Sequence, residues 1–196
     1  MNGADLDGVT SGLIVGRPVL PLGWLIVKGY LVGNGAVLTD ANLSGGNLYD
    51  ANLVNENLTG AILDGVQSGK VQGQFTVKLP NNWAMINGYL VGPSADLNGA
   101  NFAGIDFGYS GLDLAGANFT DANLSGIHLV LTNLIDANMS GANLTSASIL
   151  ESPMTEVNLV GSQLTDANFT GSNMSTVITD AETTCPSGVR GPCANL

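Results

Sequence analysis

The sequence predicts an all-β solenoid, on three observations. A large apolar residue recurs every five positions, at Leu6, from Leu38 to Leu63, from Leu97 to Phe107 and from Leu114 to Met174, giving 23 repeats. Writing that residue as i, it is always Leu, Phe, Met or Ile, and i−2 is Ala in more than half of the repeats. The spacing fits neither the 3.6-residue stripe of a helix nor the two-residue alternation of a strand, so the chain must turn once per repeat. Short fixed periods of this kind are the mark of stacked coils.

Each part of the repeat then has a task. Residues i and i−2 point inward, and i−1, i+1 and i+2 point outward. Asn, Asp and Gly near the corners supply turn chemistry, because they tolerate unusual backbone angles or bond to their own backbone. Coils stack at the β-ladder spacing of about 4.8 Å, with Ala filling the gaps between the larger side chains. Glu56 breaks the rule by placing a carboxylate at an i−2 position. Because an unpaired buried charge is costly, a local bulge that carries Glu56 to solvent is expected there.

The pattern Ala-(Asp/Asn)-Leu-x-x, as in Ala41-Asn42-Leu43-Ser44-Gly45 and Ala137-Asn138-Met139-Ser140-Gly141, resembles that of pentapeptide repeat proteins. The resemblance covers most of the chain and includes 13 unbroken repeats from Leu114 to Met174. It implies a right-handed quadrilateral β-helix with four repeats per coil.

Two related segments interrupt the beat, at residues 9–35 and 66–94. They align through Gly-Val-Thr-Ser-Gly from Gly8 and Gly-Val-Gln-Ser-Gly from Gly65, Trp24 with Trp83, and Gly-Tyr-Leu-Val-Gly from Gly29 and from Gly88. Leu25 to Val32 and Ala84 to Val91 are rich in β-formers and read as extended chain. The inserts carry both tryptophans and four of the five basic residues, Arg17, Lys28, Lys70 and Lys78. Their Trp side chains either pack on the solenoid or, with Tyr30 and Tyr89, form an exposed binding platform. A slip at Ser110-Gly111 adds two residues between Phe107 and Leu114 and is expected to bulge one corner.

Solenoids grow in one dimension, so residues 1–184 read as one elongated domain and residues 185–196 as a tail. No run of 18 apolar residues exists to span a membrane. Met1 to Leu20 lacks the apolar stretch of a signal peptide, yet Ala4-Asp5-Leu6 is already mid-pattern, so a longer precursor is expected. Cys185 and Cys193, the only cysteines, lie together in the tail. Their spacing differs from the C-x-x-C of zinc and redox sites. A disulfide closing the tail, in an oxidising compartment, is weighed against two free thiols. The tail also resembles the cystine-closed ends of secreted bacterial pentapeptide repeat proteins.

Chemistry is sparse. His128 stands alone at an i−1 position with no nucleophile motif beside it. Residues 65–71 fail as a phosphate loop, because Asp64 replaces the first Gly and Val71 the Ser or Thr that binds magnesium. Eight Asn-x-Ser/Thr triplets follow automatically from the repeat. No enzyme and no cofactor are therefore expected. Assigning repeats to four faces in rotation stacks Asp136 on Glu156, a weak calcium candidate because calcium takes six or more oxygens. It also stacks the hydroxyls of Ser125, Thr145 and Thr165, of the sort that bind ice or sugars. The neighbouring face turns Val130 and Leu150 outward as an apolar patch able to dock a partner.

Net charge is −11, and no Lys or Arg falls inside a regular repeat. Direct nucleic-acid binding, which needs cations to displace counterions, is excluded. Some proteins of the resembling family are acidic mimics of DNA that occupy bacterial gyrase, which gives one functional alternative. The leading expectation is a secreted, non-enzymatic structural or protein-interaction solenoid. An uncapped first coil would let such a solenoid stack on another chain.

Overall fold

The computed structural model describes residues 5–108 and 111–193, which contain short strands, bridges and turns and no helix. The chain folds as two compact units, Met1–Val91 and Gly92–Leu196.

In the first unit the five-residue beat closes into coils. Parallel bridges join Val37 to Asn57, Asn42 to Ile62, Asn47 to Gln67 and Asn52 to Gln72, each 20 residues apart, so four repeats complete one coil. The ladder bonds are regular: Leu43 N–H donates to Ile62 C=O and Ile62 N–H to Ala41 C=O, both at 2.9 Å. Leu38, Leu43, Leu48, Leu53, Leu58 and Leu63 stack inward with Ala41, Ala51 and Ala61, none more than 6% exposed. The alternation expected for i and i−2 thus describes the core.

Each insert contributes an antiparallel hairpin. β1 (Leu25–Val27) pairs with β2 (Tyr30–Val32), and β3 (Ala84–Ile86) with β4 (Tyr89–Val91). Lys28 (φ 52) and Gly29 (φ 85) form the first two-residue turn, and Asn87 (φ 50) and Gly88 (φ 76) the second. Two consecutive positive φ values make a turn whose twist matches that of paired strands, which is why Asn-Gly is favoured there. The sequence expectation of extended chain is refined accordingly, each segment doubling back on itself. Val27, Met85 and Leu90 join the Leu core, with Trp83 packed against it.

The second unit repeats the coil with one irregularity. Bridges Asp96 to Asn118, Asn101 to Asn123 and Asp106 to His128 span 22 residues, while Asp113 to Asn133 and later ones span 20. Two extra residues are therefore absorbed between Phe107 and Asp113 without loss of register, although Ser110 itself lies outside the described residues. β5 (His128–Val130) and β6 (Ser148–Leu150) pair in parallel. A disulfide links Cys185 to Cys193, with Cα atoms 5.5 Å apart. Asp166 N–H donates to Pro186 C=O at 2.9 Å, setting the start of the tail against the repeat of Leu164.

Candidate functional site

The corners explain where the acidic side chains stand. At a typical corner Ala41 N–H donates to Leu38 C=O at 3.1 Å, and Asp40 at i+2 has φ 57. A turn with positive φ at its third residue favours Gly or Asn and tolerates Asp. Gly45, Asp50, Asn55 and Gly60, and later Asp121, Asp136, Gly141 and Asp166, occupy that position with φ between 57 and 74. At i−1 the requirement differs. Asn42 Oδ1 accepts the Ser44 N–H at 3.1 Å and Asn143 Oδ1 the Thr145 N–H at 3.1 Å, the side chain mimicking a backbone turn. The Asn amides also link coils, as in Asn158 Nδ2 to Asn138 Oδ1 at 3.1 Å. Carboxylates therefore sit wherever a turn accepts them, which scatters the charge.

His128 is half-buried and meets Asp106 Oδ1 at 3.1 Å across one coil. The Gly108 amide, and after it His128, hold the Asp106 carboxyl below the usual range. Asp136 and Glu156 are exposed at left-handed corners with φ 61 and 60. Among the described residues no group of three or more His, Cys, Asp or Glu stands together. Of the hydroxyl column, Ser125 is engaged locally, its Oγ donating to Asn123 Oδ1 at 2.8 Å.

Glu56 corrects an expectation. Its side chain does not escape; it is 0% exposed. Oε1 accepts the Gly33 N–H at 3.3 Å, and Oε2 has no hydrogen-bond partner among the described residues. Burial pushes the carboxyl up to about 8, against the smaller opposing effect of the Gly33 amide. The physical reason is a lid from outside the repeat, since Gly33 follows β2 and closes over the slot from 23 residues upstream.

The twin inserts share their internal bonds. Ser11 Oγ accepts the Leu31 N–H at 2.7 Å, and Ser68 Oγ the Leu90 N–H at 2.9 Å. Ile14 N–H donates to Gly29 C=O and Val71 N–H to Gly88 C=O, both at 2.9 Å. The aromatic residues are seated within this frame. The Trp24 indole fills the space a Gly33 Cβ would take, and the Tyr30 ring lies 3.2 Å from the corresponding point on Gly12. Tyr89 lies beside Gly69 in the same way. Trp24, Tyr30, Trp83 and Tyr89 are all half-buried.

Val130, assigned outward by the repeat, is 5% exposed, because in-register pairing sets Leu150 against it one coil on. Other apolar side chains are far more exposed: Phe75 in the second insert is 94% exposed, and Leu13, Val15, Val19 and Leu22, four within one short stretch of the first insert, are 90%, 95%, 68% and 104% exposed. Sequence reasoning did not single them out. The available signal was an apolar run, Leu13-Ile14-Val15, inside an insert that lacks the repeat's inward register.

The model for pentapeptide repeats matches the chain in eight copies, over residues 34–67, 113–149 and 154–178. No curated protein matches it. Among solved structures the chain is similar to HetL, a pentapeptide repeat protein involved in heterocyst differentiation regulation from the cyanobacterium Nostoc sp. strain PCC 7120. Identity is 27% over 79% of this chain and 64% of HetL, with a TM-score of 0.47, so the chain spans less than two thirds of HetL's length. It is also similar to a pentapeptide repeat protein of the cyanobacterium Cyanothece 51142, at 24% identity over 74% of this chain and 90% of that one, with a TM-score of 0.46. A third, from the Arabidopsis thaliana thylakoid lumen, is 20% identical over 74% of this chain and 67% of that one, with a TM-score of 0.20. Its repeats, recurring every five residues and stacked in coils of 20, make this chain a member of the pentapeptide repeat family.

Proposed function

We propose that the chain is a non-enzymatic protein-interaction solenoid, right-handed and square in section, working in an oxidising extracellular or lumenal compartment. Binding is assigned to the first insert rather than to the regular faces. The observation that carries this reading is the exposure of Leu13, Val15, Val19 and Leu22 together in one short segment. Apolar side chains concentrated in this way mark contact with another protein. The Cys185–Cys193 disulfide supports the compartment, since reducing cytosol does not preserve such bonds.

Chemical cross-linking in the native culture or compartment tests the reading. Adducts of the chain are expected, and a Leu13→Asp, Leu22→Asp double variant should lose them, because both side chains are exposed and contribute nothing to the core. A chain that yields no adduct, or whose adducts ignore the double variant, overturns the proposal.

The alternative, an acidic mimic of DNA acting on a bacterial topoisomerase, requires ordered stripes of charge. Asp121 is followed one coil on by Gly141 and Asp40 by Gly60, and Asp136 on Glu156 is an isolated acidic pair, so these corner columns carry no continuous stripe of charge. Gyrase supercoiling is expected to proceed unchanged with this protein added. Inhibition at stoichiometric concentration would restore the mimic.

A further inference from the structure

Resting on the interaction reading, we propose that the edge formed by Thr10–Leu22 docks onto the last coil of a second copy, residues 167–178, carrying the parallel ladder from one molecule into the next. The twin inserts supply the first argument. In the second insert this edge is covered by a regular coil. Gln67 N–H donates to Gly46 C=O and Gln72 N–H to Ala51 C=O, both at 2.9 Å. In return Leu48 N–H donates to Gln67 C=O, Asp50 N–H to Gly69 C=O and Leu53 N–H to Gln72 C=O, at 2.8, 2.8 and 2.9 Å.

The first insert has the same backbone. Leu13 (φ 57) matches Lys70 (φ 54), and Gly16 (φ 100) matches Gly73 (φ 115). Thr10, Gly12 and Val15 therefore hold the positions of Gln67, Gly69 and Gln72. Among the described residues nothing pairs with the Thr10 and Val15 amides or with the Thr10, Gly12 and Val15 carbonyls. The duplication thus shows what such an edge accepts: a pentapeptide coil running parallel to it.

The second argument is a matching open edge. In a regular coil the i and i+2 amides donate to the next coil and the i−2 carbonyl accepts from it, as Leu144 N–H, Ser146 N–H and Ala142 C=O do with Gln163, Thr165 and Gln163. In the last coil the amides of Phe169, Gly171, Met174 and Thr176 and the carbonyls of Ala167 and Ser172 have no such partner among the described residues. Among the described residues the adjoining side is taken by Thr184 and Pro186, whose carbonyls accept the Leu164 and Asp166 amides, while Cys193 N–H donates to Thr179 Oγ1 at 3.0 Å. Two successive sides stay open, the number that Thr10 and Val15 present. The core is also uncovered there. Residues i from Leu114 to Leu164 are at most 1% exposed, whereas Phe169 and Met174 are only half-buried.

Unpaired strand edges recruit further strands, and a heterologous contact that does not close produces open-ended assemblies. Two variants test the arrangement by sedimentation velocity. Val15→Pro removes the edge amide at a side chain that is 95% exposed, leaving the core intact. Met174→Glu charges the edge of the last coil, with Phe169→Glu as its replacement if melting shows that the first variant unfolds. Wild type should grow in mass with concentration, each variant alone should remain monomeric, and their mixture should form a one-to-one heterodimer from the two intact edges. A wild type that stays monomeric, a Val15→Pro variant that assembles normally, or a Met174→Glu variant that dimerises alone would overturn the inference. If wild type is monomeric but still cross-links to another protein, the interaction reading survives; if no adduct forms either, both fall.

Discussion

Glu56→Gln is expected to flatten the pH dependence of the first unit's stability and to stabilise it strongly at alkaline pH. The Glu56 carboxyl ionises at an ordinary 4.5 in the unfolded chain and at about 8 when folded, because burial disfavours the charged form. Below pH 4.5 both states are protonated and folding is not penalised. As pH rises towards 8 the unfolded chain releases a proton that the folded chain keeps, so stability falls across that window and levels off above it. At 1.36 kcal/mol per pKa unit the whole fall is roughly 4–5 kcal/mol. Gln cannot ionise, and its carbonyl oxygen can still accept the Gly33 amide. Denaturant unfolding of wild type and variant at matched pH values measures the difference, in which all other titrating groups cancel. Parallel curves between pH 5 and 8 would contradict the burial of this carboxyl.

Phe102→Ala should cost the second unit roughly 3–5 kcal/mol, as a large buried side chain replaced by a methyl group leaves a cavity. Phe102 is 0% exposed. Its ring meets Phe107 edge-on at 5.3 Å and 84°, and Phe119 at 6.4 Å and 70°. In a stack of coils each layer touches only those above and below, so the neighbours cannot close in from the sides to fill the gap. Phe102→Leu, matching the rest of the column, should recover most of the loss. An alanine variant with an unfolding midpoint near wild type would show that the coils collapse around the vacancy.

Much of this fold was legible because the five-residue beat is a local rule repeated many times. Alternating burial at i and i−2 follows directly from it, as does the corner chemistry. The failures occur where a distant segment intervenes. Glu56 was expected to reach solvent because its own repeat offers no partner, but Gly33 supplies both a lid and a donor. Val130 was placed outward by its position in the repeat, while its burial depends on Leu150 in the next coil. The hairpin at Asn87-Gly88 had a readable turn signal, which the surrounding β-formers masked. The bareness of Leu13 and Val15 could not be read locally, since exposure depends on what is missing from the other side of the strand.

The unequal coils have a wider consequence. Thr10 and Val37 are bridged across 27 residues, Asp96 and Asn118 across 22, and Asn118 and Asn138 across 20. The rung is thus indifferent to the contour length between its pairing points. Extra residues leave at a corner and rejoin in phase, so mutation can lengthen the chain without disturbing the apolar column. Novelty in such a molecule is additive: new loops can be grafted, duplicated and diversified, as the two inserts have been, while the scaffold beneath them keeps its original solution to burial.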